Sequence, residues 1–297
     1  MSDTKTYWRD PALGEPRDLD VPGGKLRIFE AGSGSPIVFV HGLLVNANLW
    51  RKVVPRLVPD FRCVSLDMPL GSHELAMPHA DLSPPGLANL IADAIEAAGL
   101  EDVTLVANDT GGGLSQLVIT RRPERIGRLV LTSCDAYDNF PPRFFKVVLA
   151  PALIPGAARF VFAPMRFRRM RELPIAFGWL MHSKLEADAG DSYTLPALTS
   201  GSVGTDVRRA MRGIHPRYTL DAAKRFGEFQ RPVLIAWSRD DRFFPLAHAE
   251  RLANDFPNAR LEWIDRSRTF SPEDRPDRLA ELVAGFVREP ATVAERR

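Results

Sequence analysis

One stretch of the sequence, apolar and then rich in glycine, decides the fold: Val103-Thr-Leu-Val-Ala-Asn-Asp-Thr-Gly-Gly-Gly113. The run Val103–Val106 is short, apolar and β-branched, which is typical of a buried strand. The glycines, and the run Leu114–Ile119 after them, predict the start of a helix. Asp109 stands between the two, at a sharp turn that pushes its side chain above the sheet.

Small residues surround this aspartate, as a tight strand-to-helix turn requires. Ala107 lies two residues before it, and Gly111 and Gly112 follow it, so strand and helix can approach without a clash. The pattern is that of a nucleophile elbow, G-x-S-x-G, with aspartate in place of serine and alanine in place of the first glycine. A helix N-terminus behind the turn favours an ionised carboxylate. The alternative interpretation is a capping aspartate on an ordinary turn.

Composition indicates one large α/β domain with an insertion, or two small domains. The chain has 297 residues, 45% hydrophobic and 26% charged, with a net charge of +2. This balance suggests neither a nucleic-acid nor a membrane partner. Cys63 and Cys134 fall in or beside strand-like runs, which favours buried reduced thiols and a cytoplasmic setting. We find no leader-like or membrane-spanning run, no metal motif and no P-loop, so we expect no cofactor and no metal.

Strands and helices alternate along most of the chain, which predicts a mostly parallel α/β sheet with its ligands beyond the carboxyl ends of the strands. The predicted strands are 17–21, 26–30, 36–40, 62–66, 103–106, 126–132, 232–237 and 260–264. The predicted helices are 50–57, 81–99, one from about 114, 246–256 and 277–287. The tail 288–297 is predicted to fray.

The pattern changes between residues 141 and 217, where prolines, arginines and aromatic residues interrupt any alternation. We interpret this segment as a mostly helical insertion over the sheet edge. It contains the basic cluster Met165–Arg171. We interpret that cluster as a solvated helix face; anchoring to an anionic surface is the alternative.

Three features now fall at predicted strand ends, and together they resemble the α/β-hydrolase fold. They are His41-Gly42 after the third strand, the elbow at 107–112, and Trp237–Asp241 followed by Pro245. The resemblance covers about residues 15–288. It implies a mostly parallel eight-stranded sheet with helices on both faces and a helical cap.

The resemblance also divides the chain. It implies a first part of the core at 1–140, a helical cap at 141–217 and a second part of the core at 218–297. The oligomeric state is open, and a homodimer is one alternative.

Within that fold, an aspartate at the elbow is similar to the haloalkane dehalogenase and epoxide hydrolase branch. An ionised carboxylate attacks an sp³ carbon directly and forms an alkyl-enzyme ester. By resemblance, the backbone N–H groups of Leu43 and Thr110 form the oxyanion hole. Asp241 is the expected catalytic acid, and Asp240 is the near alternative.

Other residues depart from that branch or support it only by position. Dehalogenases of this type usually carry tryptophan and asparagine where this chain has Thr110 and Leu43, and epoxide hydrolases usually show His-Gly-x-Pro. The resemblance places His41, Gly42 and Asn108 behind the catalytic groups. Cap tyrosines of epoxide hydrolases have three unspecific counterparts: Tyr137, Tyr193 and Tyr218.

The largest departure concerns the catalytic histidine. In the family it follows the last strand, but alignment on Phe270 and Pro276 puts Thr269 at that position. Threonine cannot accept a proton near neutral pH, so the usual base for activating water is missing. His73, on the loop after the fourth strand, is the first substitute to consider. The remaining candidates are weaker: His41, His79, His182, His215 and His248.

The sequence therefore supports three functions. The first is an Asp109 hydrolase with an atypical or missing base, acting on a small apolar epoxide, alkyl halide, lactone or ester. The second is a non-hydrolytic acid–base enzyme, and the third is a ligand-binding protein without turnover.

Asp109, Asp241 and Thr269 carry one further expectation. Two carboxylates in a partly desolvated pocket, with no imidazole between them, should share a proton as a coupled pair. Thr269 is placed to bridge them. Neutralisation of one carboxylate by Arg266 or Arg268 would defeat this expectation.

Overall fold

The computed structural model describes residues 7–289. The expectations for the first residues and for the frayed tail beyond residue 289 lie outside this range. The described chain forms one eight-stranded sheet in the order β1-β2-β4-β3-β5-β6-β7-β8. The strands are β1 Glu15–Val21, β2 Gly24–Ala31, β3 Ser35–Val40, β4 Phe61–Leu66, β5 Val103–Asp109, β6 Ile126–Cys134, β7 Val233–Ser238 and β8 Ala259–Ile264.

The predicted mostly parallel sheet is confirmed. β1 pairs with β2, and β2 with β4, in antiparallel fashion. Every other pairing, from β4–β3 to β7–β8, is parallel. The central strands are apolar along their length because helices cover them: Ile37, Val38, Leu105 and Val106 have no exposed surface.

Twelve α-helices connect and flank these strands within residues 7–289. They are α1 Val54–Leu57, α2 Pro84–Ala97, α3 Thr110–Arg121, α4 Arg143–Val148, α5 Ala158–Phe162, α6 Arg168–Arg171, α7 Ala187–Thr199, α8 Gly201–Gly213, α9 Pro216–Ala223, α10 Leu246–Asp255, α11 Ser271–Asp274 and α12 Pro276–Arg288. Within this described range, no helix is long and apolar enough to cross a membrane.

One predicted helix is shorter than expected. The segment 50–57 is a 3-10 turn at Ala47–Trp50 followed by the single-turn helix α1. Pro55 stands at the start of α1. A proline has no N–H and fits only the first turn of a helix, so the helix cannot extend back through it to Trp50.

The segment between β6 and β7 contains helices α4 to α9 and no strand. Most of its elements are short, and five prolines break the run 141–164. The predicted boundary at residue 217 falls inside α9. Cys63 and Cys134 are buried and free; a cytoplasmic location stays a prediction.

The strand order brings three loops to one sheet edge. β3 lies between β4 and β5, and Val40 pairs with Ala107. The chain after β3 therefore emerges beside the end of β5. Asp109 is in register with Cys134 at the end of β6. This position, where the strand order reverses, is where open α/β sheets bind ligands.

Candidate active site

Asp109 occupies a strained turn at the junction of β5 and α3. Its backbone has φ 53° and ψ −132°, and a non-glycine residue held in such a region costs on the order of 1–3 kcal/mol. The glycines around it are required by space. A Cβ on Gly42 would collide with the Asp109 carboxylate, and one on Gly112 would collide with Cys134.

The Asp109 side chain does not cap the helix that follows it. It makes no side-chain capping hydrogen bond to α3, so the interpretation as an ordinary capping residue fails. Instead, its Oδ2 accepts a hydrogen bond from the backbone N–H of Leu43 at 3.1 Å. The backbone N–H of Thr110 lies close enough to this carboxylate to lower its pKa, although it does not reach the geometry of a hydrogen bond. Both expected oxyanion-hole donors therefore lie beside one carboxylate, and Leu43 is the one that is bonded to it.

Burial raises the pKa of Asp109 to about 7. The N–H groups of Thr110 and Leu43 stabilise the anion and oppose this rise, while the charge of Asp241 adds to it. The direction agrees with the coupled pair expected from the sequence. The principal cause is desolvation rather than repulsion between the two carboxylates.

Asp241 lies on the loop after β7, and its Oδ1 accepts the backbone N–H groups of Phe243 and Phe244, each at 2.8 Å. Its Oδ2 is buried without a hydrogen-bond partner among the described residues. Burial raises the pKa of Asp241. The hydroxyls of Ser133 and Thr269 lie close enough to offset part of that rise, although neither reaches the geometry of a hydrogen bond.

Thr269 is completely buried, and it lies beside both the elbow and Asp241. Its carbonyl oxygen accepts a hydrogen bond from Asn108 Nδ2 at 2.7 Å, which ties the loop after β8 to the residue preceding Asp109. Its hydroxyl has no hydrogen-bond partner within residues 7–289. Arg268 does not neutralise Asp241, because its Nη1 donates to the carbonyl oxygens of Gly178 and Met181.

A third carboxylate, Asp135, belongs to this cluster, is completely buried and is not among the residues predicted from the sequence. It follows β6 directly, and its Oδ2 accepts a hydrogen bond from Thr110 Oγ1 at 3.1 Å. Burial raises the pKa of Asp135 well above its usual value, and the charge of Asp109 adds to the rise. Its position three residues beyond the predicted strand 126–132 was the available signal.

The histidine named first as a substitute base lies elsewhere. His73 is buried, with Nε2 3.3 Å from Asp206 Oδ2, and its Nδ1 accepts the N–H of Gly71. It does not line the cavity described below. Its burial beside α8 and its absence from the cavity wall argue against His73 as the base.

His41, His182 and the alternative acid Asp240 also have hydrogen-bond partners away from the cavity. His41 Nε2 accepts the N–H of Met68 at 2.9 Å, and burial lowers the pKa of His41 to about 4; this ring is neutral and supports the loop. His182 Nε2 lies 2.9 Å from Asp240 Oδ2 at the surface. Asp240, the alternative acid, therefore points away from the buried cluster that holds Asp241.

A cavity of about 610 Å³ opens above Asp109, Thr110 and Leu43. Its other walls are mainly apolar side chains of the segment between β6 and β7, among them Leu149, Val161, Phe162, Met165, Met170, Ile175, Ala176 and Phe177. Neither Asp241 nor Thr269 lines it. Of Asp109, Asp135 and Asp241, only Asp109 lines the cavity and can contact a molecule bound in it.

Two polar side chains of the cavity wall relate to earlier expectations. Tyr193 lines the wall, but its hydroxyl donates to Glu273 Oε1 at 3.4 Å. Tyr137 bonds Asp255 instead. His215 is the one imidazole of residues 7–289 that lines the cavity; it is exposed, and its Nδ1 accepts the N–H of Arg217 at the start of α9. Over the same described range, no cluster of three or more His, Cys, Asp or Glu is placed to hold a metal.

Comparison with known proteins places this geometry in context. Residues 35–276 match the sequence model of the alpha/beta hydrolase fold family. A 2-hydroxy-6-oxononadienedioate/2-hydroxy-6-oxononatrienedioate hydrolase of Dechloromonas aromatica is 24% identical over 278 residues, which cover 91% of this chain and 92% of that protein.

Solved structures agree on the fold. The haloalkane dehalogenase DatA of Agrobacterium tumefaciens superposes with a TM-score of 0.78 at 20% identity, over 94% of this chain and 99% of that one. A serine hydrolase involved in carbazole degradation superposes with a TM-score of 0.73 at 20% identity, over 92% and 98%. Neighbours described by different chemistries share the fold, so the fold does not select a reaction.

Proposed function

This chain belongs to the alpha/beta hydrolase fold family, and on that premise we propose that Asp109 is the nucleophile of an enzyme acting on a small, largely apolar electrophile. The substrate class comprises epoxides, alkyl halides, lactones and esters. The product of the first step is an ester between Asp109 and an alkyl carbon of the substrate; with a lactone or ester the substrate's own carboxylate is the leaving group. The helical segment over the cavity acts as its cap.

The single observation that carries the proposal is the hydrogen bond from Leu43 N–H to Asp109 Oδ2. It holds one carboxylate oxygen in the oxyanion hole and leaves Oδ1 to attack from the cavity floor. Oδ1 forms a bond to the electrophilic carbon, and the leaving oxygen or halide departs with the bonding electron pair. Oδ2 becomes the ester carbonyl oxygen and already lies beside the N–H groups that would stabilise a tetrahedral intermediate.

The second step lacks its usual base. Hydrolysis of the ester requires water to lose a proton, and the Thr269 hydroxyl cannot accept it near neutral pH. His215, at the cavity wall, is the imidazole left to consider there. We therefore infer that the ester accumulates or turns over slowly.

The cavity supports a mainly apolar substrate. Its volume of about 610 Å³ lies within the usual range of small-molecule sites. Because its walls are aliphatic and aromatic, binding comes chiefly from removing apolar surface from water. A small apolar molecule gains this energy without leaving a buried charge unpaired.

One observation favours a second function, acid–base catalysis without a covalent step. Burial raises the pKa of both Asp109 and Asp241, so Asp109 can take up and return a proton near neutral pH. Eliminations, isomerisations and decarboxylations need that property. This alternative predicts turnover without an adduct.

Intact-mass spectrometry after exposure to a panel of epoxides, alkyl halides, lactones and esters tests the proposal. We expect a stoichiometric mass increase, mapped by peptide analysis to Asp109, for at least one electrophile. Asp240→Asn, which changes a neighbouring exposed acid, is the matched control and should label normally. Turnover with no adduct supports the acid–base alternative, and an adduct on any other residue refutes the proposal.

A further inference from the structure

The segment from residue 143 to residue 175 has a composition unlike the rest of the chain. It holds six arginines and one lysine against a single acidic residue, Glu172, giving a formal net charge of +6 where the whole chain has +2. Arg171 is buried and forms an ion pair with Asp191. Arg168 is exposed and pairs with the same carboxylate. The remaining cations, Arg143, Lys146, Arg159, Arg166 and Arg169, are exposed and form no ion pair within residues 7–289.

The same segment exposes large apolar side chains. Of ten such side chains on the described surface, seven fall in it: Val147, Ile154, Phe160, Phe167, Met170, Leu173 and Ile175. Phe160 is 66% exposed and Phe167 64%. Arg159 stacks over the Phe160 ring at 4.7 Å. Exposed apolar groups concentrated in one place indicate an interaction site rather than ordinary surface.

These residues adjoin the mouth of the cavity. Met170, Leu173 and Ile175 are exposed and also line it, as do Arg143 and Lys146. The short helices α4, α5 and α6 pack against the 3-10 turns between them, so the exposed groups sit on one folded segment. The apolar surface thus continues from the outside of the protein into the site.

We propose that residues 143–175 form a docking surface for an anionic phospholipid bilayer, with the cavity mouth turned towards the lipid. We infer the class of partner from the charge: the five exposed cations that form no ion pair within residues 7–289 attract anionic lipid and repel an identical surface on a second copy of this chain. The aromatic side chains decide between lipid and a purely polar polyanion. Arginine guanidinium groups stay at the headgroups while phenylalanine and leucine side chains enter the acyl region.

This surface lies on a membrane and does not span it, in keeping with the absence of a spanning helix within residues 7–289. It departs from the expectation of no membrane partner, which rested on the net charge of the whole chain. The net charge of the whole chain is low because acidic residues elsewhere in the sequence offset the strongly basic segment 143–175. The inference is independent of the reaction proposed for Asp109.

Vesicle flotation of the full chain tests the proposal. The protein should float with phosphatidylcholine vesicles that contain phosphatidylglycerol, and about tenfold less with phosphatidylcholine alone. Arg166→Glu with Arg169→Glu should lower binding to the anionic vesicles by about tenfold or more. Lys25→Glu with Lys224→Glu changes the net charge equally at exposed sites outside the segment, and should bind as the parent does.

A second pair of variants tests the apolar contribution. Phe160→Ser with Phe167→Ser should weaken binding at high salt, where electrostatic attraction is screened. Leu220→Ser with Leu246→Ser, at exposed apolar positions elsewhere, should not. All substituted side chains are exposed, and thermal melting verifies that each variant is folded.

Four outcomes would overturn the proposal. They are no flotation with either vesicle, equal loss in the charge control, retention on an RNA oligomer without vesicle binding, and sedimentation as a dimer that Phe160→Ser with Phe167→Ser abolishes. Phe160→Trp adds an independent measurement: its emission should shift to shorter wavelength with anionic vesicles, and no shift on a floating protein would place the contact elsewhere.

Discussion

The floor and the roof of the cavity are built in opposite ways. The floor consists of loops anchored to neighbouring parallel strands, where Asp135 is completely buried and Asp109 and Asp241 are partly buried. The roof is a series of short helices broken by prolines, with apolar groups on its inner and outer surfaces. The comparison leads us to expect that the proposed reactivity depends on the rigid sheet edge, while access and substrate choice depend on the less regular segment.

Polar satisfaction also differs between the two regions. On the floor, one buried oxygen in each of three side chains has no hydrogen-bond partner among the described residues: Asp135 Oδ1, Asp241 Oδ2 and Thr269 Oγ1. Unsatisfied buried polar atoms are costly, and their concentration in one place supports the proposed site. On the roof, the charged groups are exposed and hydrated, and their contribution to folding is small.

The sharpest way to break the comparison is to remove the proposed nucleophile, Asp109. Asp109→Asn should lower covalent labelling or turnover by at least about 10³-fold, because an amide cannot attack carbon. The floor geometry should persist, since the amide oxygen can still accept the N–H of Leu43. Labelling kinetics and thermal melting measure the two effects. Full activity in the variant would mean that the elbow is only a turn.

Thr269→His should restore the missing base. If the imidazole reaches the ester, hydrolysis of the Asp109 adduct should accelerate by about 10²- to 10⁴-fold, measured as the decay of the adduct mass after excess electrophile is removed. Thr269→Val is the matched control, because it keeps the volume and should not accelerate decay. A folded histidine variant that decays like the parent would show that Thr269 is not at the family's histidine position.

Labelling should depend on pH through Asp109. Its rate should rise about tenfold per pH unit at low pH and level off above a pKa of about 7. Because the folded pKa lies above the ordinary value of 3.8, the stability that Asp109 contributes is full below that value and is lost as pH rises through about 7. The melting temperature of the parent should therefore fall relative to Asp109→Asn across this range. A difference independent of pH would contradict the raised pKa.

Asp135→Asn should have the smallest effect. Burial raises the pKa of the Asp135 carboxyl well above its usual value, which favours the neutral form; an amide of the same shape should therefore move the pH midpoint of labelling by less than about half a unit. Asp135→Ala is the contrast, because it leaves the Thr110 hydroxyl without an acceptor and should cost about 1–3 kcal/mol of stability. A large shift of the midpoint in the asparagine variant would show that Asp135 is ionised.

Much of the fold could be predicted because its signals are local. Apolar β-branched runs such as Val103–Val106 form strands wherever both faces are covered, and the loop after each strand can be read from its neighbours. The elbow was predictable for the same reason: a side chain between a strand and a glycine-rich helix start must project. Helix α1 is shorter than predicted because Pro55 fits only the first turn of a helix, so the helix begins at that turn.

The sequence by itself determined the order of strands and helices, the position of Asp109 at a strand end, and the lack of a histidine after the last strand. Tertiary structure alone decided which buried groups meet. Asp135 joins Asp109 because β5 and β6 are adjacent in register, while His73 is taken up by Asp206, 133 positions away in the chain. The pKa of a carboxyl group depends on its distance from water and from other charges, and only the folded chain sets those distances.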